Sequence, residues 1–190
     1  MSKKPVGRPF ESAQIDDPEM FHAVVAVALE VPKLKTYHPG GVAAYGIGIA
    51  GGGETLRCWA GGINNNHISL MARAVGDLLE IAATKTDKRL VVYLNAGMRD
   101  YIGPGGHVWK SDARRRLSTV WPVLAPVLGP LEAGRWEPRY WRKGSEPAGY
   151  QVAFDAANEG FAAAQESYWA QEQVSQGTLW VKHSTWGHHG

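Results

Sequence analysis

The chain is poor in cysteine and has no long apolar run. Cys58 is the only cysteine in 190 residues, which excludes an internal disulfide and a cysteine-based zinc cluster. No stretch approaches the roughly 20 apolar residues that a membrane span needs, and residues 1–4 are not followed by an apolar signal core. We therefore expect a soluble, cytoplasmic protein with no membrane partner.

The charge of the chain is also small, at +2 with neutral histidines, and this total alone does not indicate a nucleic-acid-binding protein. Its distribution is more informative. Seven basic residues fall within thirty positions that hold few acids: Arg114, Arg115, Arg116, Arg135, Arg139, Arg142 and Lys143. Four tryptophans lie among or beside them: Trp109, Trp121, Trp136 and Trp141. Such a mixture suits a nucleic-acid groove, with guanidinium groups on phosphates and indoles on bases. The alternative is a solvated helix face beside core tryptophans.

Length and a hydrophobic content of 44% fit one domain with a real core. Residues 1–20 are polar and rich in proline, which predicts a flexible N-terminal arm. The domain itself is expected to span 21–170. Residues 171–190 are expected to be a C-terminal tail, within which 178–186 would either add a short extended segment or remain tail.

The apolar patterns predict an α/β chain of nine elements. Three strands come first, and glycine-rich turns between them favour an antiparallel start. The most regular helix carries a stripe of apolar residues three and four apart, formed by Met71, Ala74, Val75, Leu78, Leu79 and Ala82. A strand that follows such a helical crossover is most simply parallel to an earlier strand. The predicted strands are 22–31, 42–49, 54–60, 90–94 and 136–142. The first predicted helix is capped by Asn64-Asn65-Asn66 and carries the stripe from Met71 to Ala82; the others are 96–102, 111–128 (bent or divided by its prolines) and 150–170.

Several local motifs accompany this order. Pro39-Gly40-Gly41 and Tyr45-Gly46 lie at the start of the second strand, and Asn65-Asn66 precedes the first helix. Near the C-terminus a run of β-formers stops at residues 142–145, and Asp155 follows ten residues after Ser145. Order and motifs together resemble the ribonuclease H family. The resemblance implies a five-stranded mixed sheet, with the first three strands antiparallel and helices on both faces.

The resemblance also implies where a nuclease site would lie. Nucleases of this family hold two divalent cations, Mg²⁺ or Mn²⁺, with four carboxylates. The corresponding positions here are Glu30, Ser69, Asn95 and Asp155, and Ser145 occupies the place of the family's mobile histidine. Only Glu30 and Asp155 are acids, and an acid early in a helix is also favoured by the helix dipole alone.

Two carboxylates out of four would leave a pair of divalent cations badly under-compensated. The resemblance therefore implies a pseudoenzyme with a degenerate metal site and no required cofactor. It would bind nucleic acid, an RNA/DNA hybrid or DNA, through the seven basic residues above together with Trp109, Asn65 and Asn66.

Two alternatives stay open. The first is an active Mg²⁺- or Mn²⁺-dependent endonuclease of the ribonuclease H type, acting on hybrid or branched DNA. Glu30 and Asp155 would then be its metal ligands, with a third acid recruited from Asp77, Asp100 or Glu146. The second is a scaffold that binds another protein through its tryptophans.

Overall fold

The computed structural model describes residues 19–29, 41–49, 54–64, 67–102, 121–171 and 181–188. The described chain contains six strands: β1 (Met20–Leu29), β2 (Gly41–Ile49), β3 (Glu54–Asn64), β4 (Arg89–Asn95), β5 (Trp136–Trp141) and β6 (Val181–His188). It also contains three α-helices, α1 (His67–Ala83), α2 (Trp121–Glu132) and α3 (Tyr150–Gln171), and one 3₁₀ helix, Ala96–Asp100.

The strands form one mixed sheet in the order β5-β4-β1-β2-β3-β6. β1, β2 and β3 are antiparallel neighbours, whereas β4 pairs parallel with β1 and β5 pairs parallel with β4. Short connections join the antiparallel strands, and helical crossovers join the parallel ones, as chain geometry requires. The predicted five-strand arrangement is confirmed.

The sheet gains a sixth strand that the five-strand expectation did not include. β6 pairs antiparallel with β3 from Gly61↔Val181 to Glu54↔His188. This pairing covers the outer edge of the eleven-residue strand β3, whose backbone groups would otherwise form an open edge. Of the two alternatives for the C-terminal segment, the extended one is observed. Its sequence, VKHSTWGH, lacks apolar alternation, so the pattern alone gave little signal.

Both faces of the sheet are covered, and β1 contributes to both. Phe21, Ala23 and Val25 belong to the core formed with α1 and α2, while Val24 and Ala26 pack with α3. A strand buried on both faces is expected to be apolar at almost every position, which is why its sequence shows no alternation.

Helices α1 and α2 pack against each other on one face. Five of the six residues in the predicted α1 stripe are buried, and Leu79 is partly buried. α2 runs continuously through Pro126, so this proline does not divide the helix. Residues 111–120, where the sequence predicts the start of this helix, lie outside the described residues. None of the described helices is long and apolar enough to cross a membrane.

Glycines bring α3 unusually close to the other face. A methyl group on Gly46 would overlap the carbonyl oxygen of Ala153, and one on Gly61 would overlap that of Gly160. From the helix side, a Cβ on Gly160 would lie 3.0 Å from the Trp59 ring. The backbone of α3 therefore rests directly on β2 and β3 along a glycine seam, which we define as Gly46, Gly61 and Gly160.

Adding a methyl group to the seam tests this close approach. We expect Gly46→Ala to lower the free energy of unfolding by about 1 to 3 kcal/mol, because backbone atoms of α3 must move. Gly129→Ala is the matched control, since nothing lies within 4 Å of its Cβ position in α2. It should leave stability unchanged or raise it by up to about 1 kcal/mol. Urea unfolding measures both, and a Gly46→Ala protein as stable as the parent would contradict the seam.

The lone thiol gives a prediction about pH. Burial, with a smaller contribution from the charge of Asp77, raises the pKa of Cys58 from about 9 to about 12. The thiol of the unfolded chain ionises first, so this contribution to stability is complete below pH 9 and is lost as the pH rises towards 12. We expect Cys58→Ala to show a shallower fall in unfolding free energy than the parent between these pH values. Identical falls in urea titrations would show that the thiol is not buried in this way.

Candidate functional site

The carboxyl ends of the parallel strands β1 and β4 meet at one edge of the sheet. β1 pairs parallel with β4 on one side and antiparallel with β2 on the other, so strand direction changes beside β1. In α/β sheets, ligands commonly bind outside the carboxyl ends of the parallel strands. This edge, here called the carboxyl edge, is the candidate site.

Three residues from three elements meet at the carboxyl edge. Asn95 ends β4 and caps the 3₁₀ helix, where its side chain accepts a hydrogen bond from Gly97 N at 3.0 Å. A Cβ on Gly97 would lie 3.1 Å from Nε2 of His67, the first residue of α1, and 3.5 Å from Oδ1 of Asn95. Because Gly97 has no side chain, the imidazole of His67 and the side-chain amide of Asn95 both border the space beside its Cα.

Ser69 lies in the first turn of α1 and is 5% exposed. Its neighbours Ile68 and Leu70 are also buried, so this turn faces the core rather than solvent. A carboxylate at this position would need a partner to offset its desolvation. The hydroxyl of Ser69 carries no charge, in agreement with the apolar surroundings.

Asp155 is turned away from the carboxyl edge. Its exposed carboxylate accepts a hydrogen bond from Gln151 Nε2 at 2.8 Å. Ala153 faces the sheet, and Asp155, two residues later, is rotated about 200° around the helix axis. The pKa of Arg57 on β3 is raised mainly by its hydrogen bond to Glu159, with a smaller contribution from the charge of Asp155.

This placement separates Asp155 from Asn95. β3 and β4 have β2 and β1 between them, which corresponds to about 14 Å across the sheet. The residues of α3 that turn towards β4 and β5 are aromatic. Tyr150 packs edge-on against Trp141 at 4.8 Å, and Phe154 stacks on Tyr150 at 5.7 Å. The structure therefore does not bring the two positions that the resemblance paired into one site.

The donors described at the carboxyl edge do not fit a pair of hard divalent cations. His67, Ser69 and Asn95 offer an imidazole, a hydroxyl and an amide, whereas Mg²⁺ is held mainly by carboxylate oxygens. Throughout the described ranges, no three histidine, cysteine or acidic side chains are grouped so that they could hold a metal ion. Glu30, the predicted ligand on the first strand, lies outside those ranges.

The three acids considered as a third metal ligand differ in their surroundings. Asp77 accepts a hydrogen bond from the buried Tyr45 hydroxyl, and this contact together with burial raises the pKa of Tyr45. Asp100 is exposed on the 3₁₀ helix. Glu146 is exposed and accepts a hydrogen bond from Gly144 N at 2.9 Å, which lowers its pKa. Asp77 and Glu146 are therefore engaged within the protein, whereas Asp100 is an exposed acid next to Arg99.

Ser145 stabilises the turn that follows β5. Its Oγ donates to the carbonyl of Arg142 at 3.0 Å, and its backbone N–H donates to the same oxygen at 2.9 Å. Gly144 has φ +89°, which a residue with a side chain rarely adopts. The serine thus closes a tight turn that leaves Arg142 and Lys143 exposed.

The predicted basic residues fall into separate groups along the edge strand β5. Arg142 and Lys143 follow its carboxyl end, and Arg99 lies over the neighbouring Tyr140 ring at 5.9 Å. Arg139 is held by Glu137 at 2.8 Å. Arg135 precedes the strand at the other end, about 23 Å from Arg142. Only the first group flanks the carboxyl edge.

The tryptophans of β5 do not form a stacking surface. Trp136 is fully buried, and its Nε1 donates to the carbonyl of Val127 at 2.9 Å. Trp141 is 9% exposed on the opposite face, against Tyr150. The alternation of a strand covered on both sides explains this. Of the two alternatives for the tryptophans, the core position is observed for Trp136 and Trp141.

Six of the predicted nucleic-acid contacts lie outside the described residues. They are Arg114, Arg115, Arg116, Trp109, Asn65 and Asn66.

His67 and Gly97 were not predicted as part of a site. The only signals were the position of His67 directly after Asn65-Asn66 and a glycine two residues beyond the end of β4. Neither signal shows that the two residues meet.

No protein-family model matches the sequence, and no curated protein matches it. Among solved structures, the chain is similar to RNase H1 from the halophilic archaeon Halobacterium salinarum NRC-1. The sequence identity is 16%, the TM-score is 0.47, and the match covers 76% of this chain and 99% of that one. The fold is ribonuclease H-like. That description follows from the strand order and directions of the sheet, with β6 as an addition at its edge.

Enlarging Gly97 tests the contact that defines the carboxyl edge. We expect Gly97→Ala to displace the His67 ring, because the new methyl group would lie 3.1 Å from Nε2. The ¹H and ¹³C resonances of the His67 ring should then shift. Gly76→Ala in α1 is the control, since its Cβ would meet only Val127 Cγ1 at 3.8 Å. Equal ring shifts in both variants would show that Gly97 and His67 are not in contact.

Proposed function

We propose that this ribonuclease H-like chain binds nucleic acid and does not carry out two-metal phosphodiester cleavage. The observation that supports this most directly is the chemistry of the carboxyl edge. Its described polar side chains, His67, Ser69 and Asn95, include no carboxylate, and Asp155 faces away from them. A pair of Mg²⁺ ions has no described carboxylates there to hold it.

The lack of described carboxylates at the centre of the carboxyl edge also changes how a phosphate can approach. In a two-metal site the carboxylates repel the phosphodiester unless metal ions lie between them. At an edge without carboxylates, a phosphate can contact the protein directly through cations and hydrogen-bond donors. Binding under this proposal needs no divalent ion.

The cations that flank the edge support direct phosphate contact. β5 runs parallel to β4, so Arg142 and Lys143 lie at the same end of the sheet as Asn95. Arg99 belongs to the 3₁₀ helix that begins beside Asn95. Arginine and lysine neutralise phosphates and release counterions, which is the main source of sequence-independent affinity. Arg139 lies on β5, three residues before Arg142, and its ion pair with Glu137 already offsets part of its charge.

The proposal includes the predicted contacts outside the described residues. Arg114, Arg115 and Arg116 would add phosphate contacts, and Trp109 would supply the stacking surface that Trp136 and Trp141 do not. Asn65 and Asn66 directly precede α1, which begins at His67 beside the candidate edge. Among the predicted contacts that the structure describes, Arg135 lies farthest from that edge and is expected to contribute little.

Salt dependence and metal dependence test this proposal together. We expect the protein to bind an RNA/DNA hybrid at least as tightly in excess EDTA as in Mg²⁺, because Mg²⁺ competes with the cationic side chains for the phosphates. Replacing both Arg142 and Lys143 by alanine should weaken binding and reduce the slope of log affinity against log salt by about two. Lys85→Ala removes an exposed cation in the turn before β4, at the opposite end of that strand, and should change neither quantity. Fluorescence anisotropy at several salt concentrations measures all three proteins.

Two results would contradict the proposal. Binding that disappears in EDTA would show that a metal ion mediates phosphate contact. Mg²⁺- or Mn²⁺-dependent cleavage of an end-labelled hybrid by the parent, abolished by Glu30→Gln, would show that acids outside the described residues complete a nuclease site. Asp155→Asn is a useful companion variant, because it should not affect such cleavage if Asp155 stays on the far side of α3.

A further inference from the structure

A second concave site lies at the end of the sheet opposite the carboxyl edge. It is a pocket of about 310 Å³ between the turn that joins α1 to β4 and the turn that joins α2 to β5. Its lining residues include Leu79, Ala82 and Leu90, with Lys88 and Arg135 from the two turns. The volume falls at the lower end of the range for small-molecule sites. Leu90 and Asn95 are five residues apart on β4, so the pocket lies about 17 Å from the carboxyl edge.

The walls of this pocket are fixed by backbone hydrogen bonds. After α2, Gly134 N donates to Leu131 O and Arg135 N donates to Pro130 O, which is a Schellman cap with Gly134 at φ +71°. Leu90 N then donates to Arg135 O at 3.0 Å and ties the two walls together. A pocket with such walls needs little ordering when a ligand binds.

The other wall is fixed in the same way. Thr86 N donates to Ala82 O at 2.9 Å, and Lys88 N donates to the hydroxyl of Thr86 at 3.1 Å. The backbone of both cationic residues, Lys88 and Arg135, is therefore held at the mouth of the pocket while their side chains are exposed.

The charges at the mouth favour an anion. Lys88, Arg89 and Arg135 line it, against one carboxylate, Asp87. Glu137 takes up part of the charge of Arg89 at 3.0 Å. Lys88 and Arg135 form no ion pair within the described part of the chain. The carboxyl ends of α1 and α2 each add a partial negative charge of about half a unit. The positive charge of the three cations exceeds the sum of these partial charges and the Asp87 carboxylate only modestly. An anion therefore needs the apolar floor as well as the charges to bind well.

We propose that this pocket binds a small organic anion whose apolar body contacts Leu79, Ala82 and Leu90 and whose acidic group meets Lys88 and Arg135. An aryl phosphate or aryl carboxylate has this chemistry. The site is separate from the proposed nucleic-acid surface, since neither Arg142 nor Lys143 contributes to it.

Phenyl phosphate, inorganic phosphate and benzylamine form a matched set of probes. Phenyl phosphate carries both features, inorganic phosphate lacks the apolar body, and benzylamine carries the opposite charge. Titrations followed by ¹H–¹⁵N NMR should shift the amides of Leu90, Gly134 and Arg135 with phenyl phosphate. Inorganic phosphate should bind about tenfold or more weakly, and benzylamine should not bind at these amides. Equal binding of benzylamine, or shifts scattered over the surface, would overturn the proposal.

Variants then identify the residues. Arg135→Ala should weaken phenyl phosphate binding about tenfold, because a charge-assisted hydrogen bond is lost. Ala83→Leu, at an exposed lining position on α1, should fill the mouth and abolish binding without lowering the thermal midpoint. Arg57→Ala, on β3 and outside the lining of the pocket, is the control and should bind as the parent does. Unchanged binding in both Arg135→Ala and Ala83→Leu would place the anion elsewhere.

Discussion

The close contact between the backbone of α3 and strands β2 and β3 determines most of the remaining structure. It depends on the glycine seam, where a single methyl group at Gly46 or Gly61 would overlap a helix carbonyl. Packing this tight allows only one rotation of α3 about its axis, because Ala153 and Gly160 must both face the sheet. The same rotation places Glu159 against Arg57 and Tyr150 against Trp141. The rotation of α3 therefore also sets the direction of its other side chains.

That rotation also determines the chemistry of the candidate site. Asp155 is directed to solvent beside β3, while the aromatic residues Tyr150 and Phe154 face β5. The carboxyl edge is left with the amide of Asn95 and the imidazole of His67 beside Gly97. This differs from a two-metal site, because the described residues at its centre include no carboxylate. The cations Arg99, Arg142 and Lys143 and the exposed acids Asp100 and Glu146 lie around it.

The exposed pocket at the opposite end of β4 has a different origin. It forms where the ends of α1 and α2 are closed by turns, and the Schellman cap at Gly134 fixes Arg135 at its mouth. The two ends of one strand thus offer two kinds of surface. The pocket encloses a small volume over an apolar floor, whereas the carboxyl edge is flanked by exposed turns that an extended phosphate backbone can follow. Arg135 and Arg142 therefore lie on different surfaces, one at each end of the short strand β5.

The sequence by itself determined the order of the first five strands along the chain and the α1 stripe, because apolar periods such as that of Met71, Val75 and Leu78 are local properties. It also determined that Ser69 and Asn95 bring no charge. Only the tertiary structure decided where Asp155 points and that Trp136 and Trp141 are core. It also decided that His67 meets Gly97 and that β6 joins β3. Each of these depends on a contact between segments far apart in the chain, such as α3 on Gly46. A ten-residue spacing between Ser145 and Asp155 fixes separation along the chain but not rotation about a helix axis, and that rotation is set by packing.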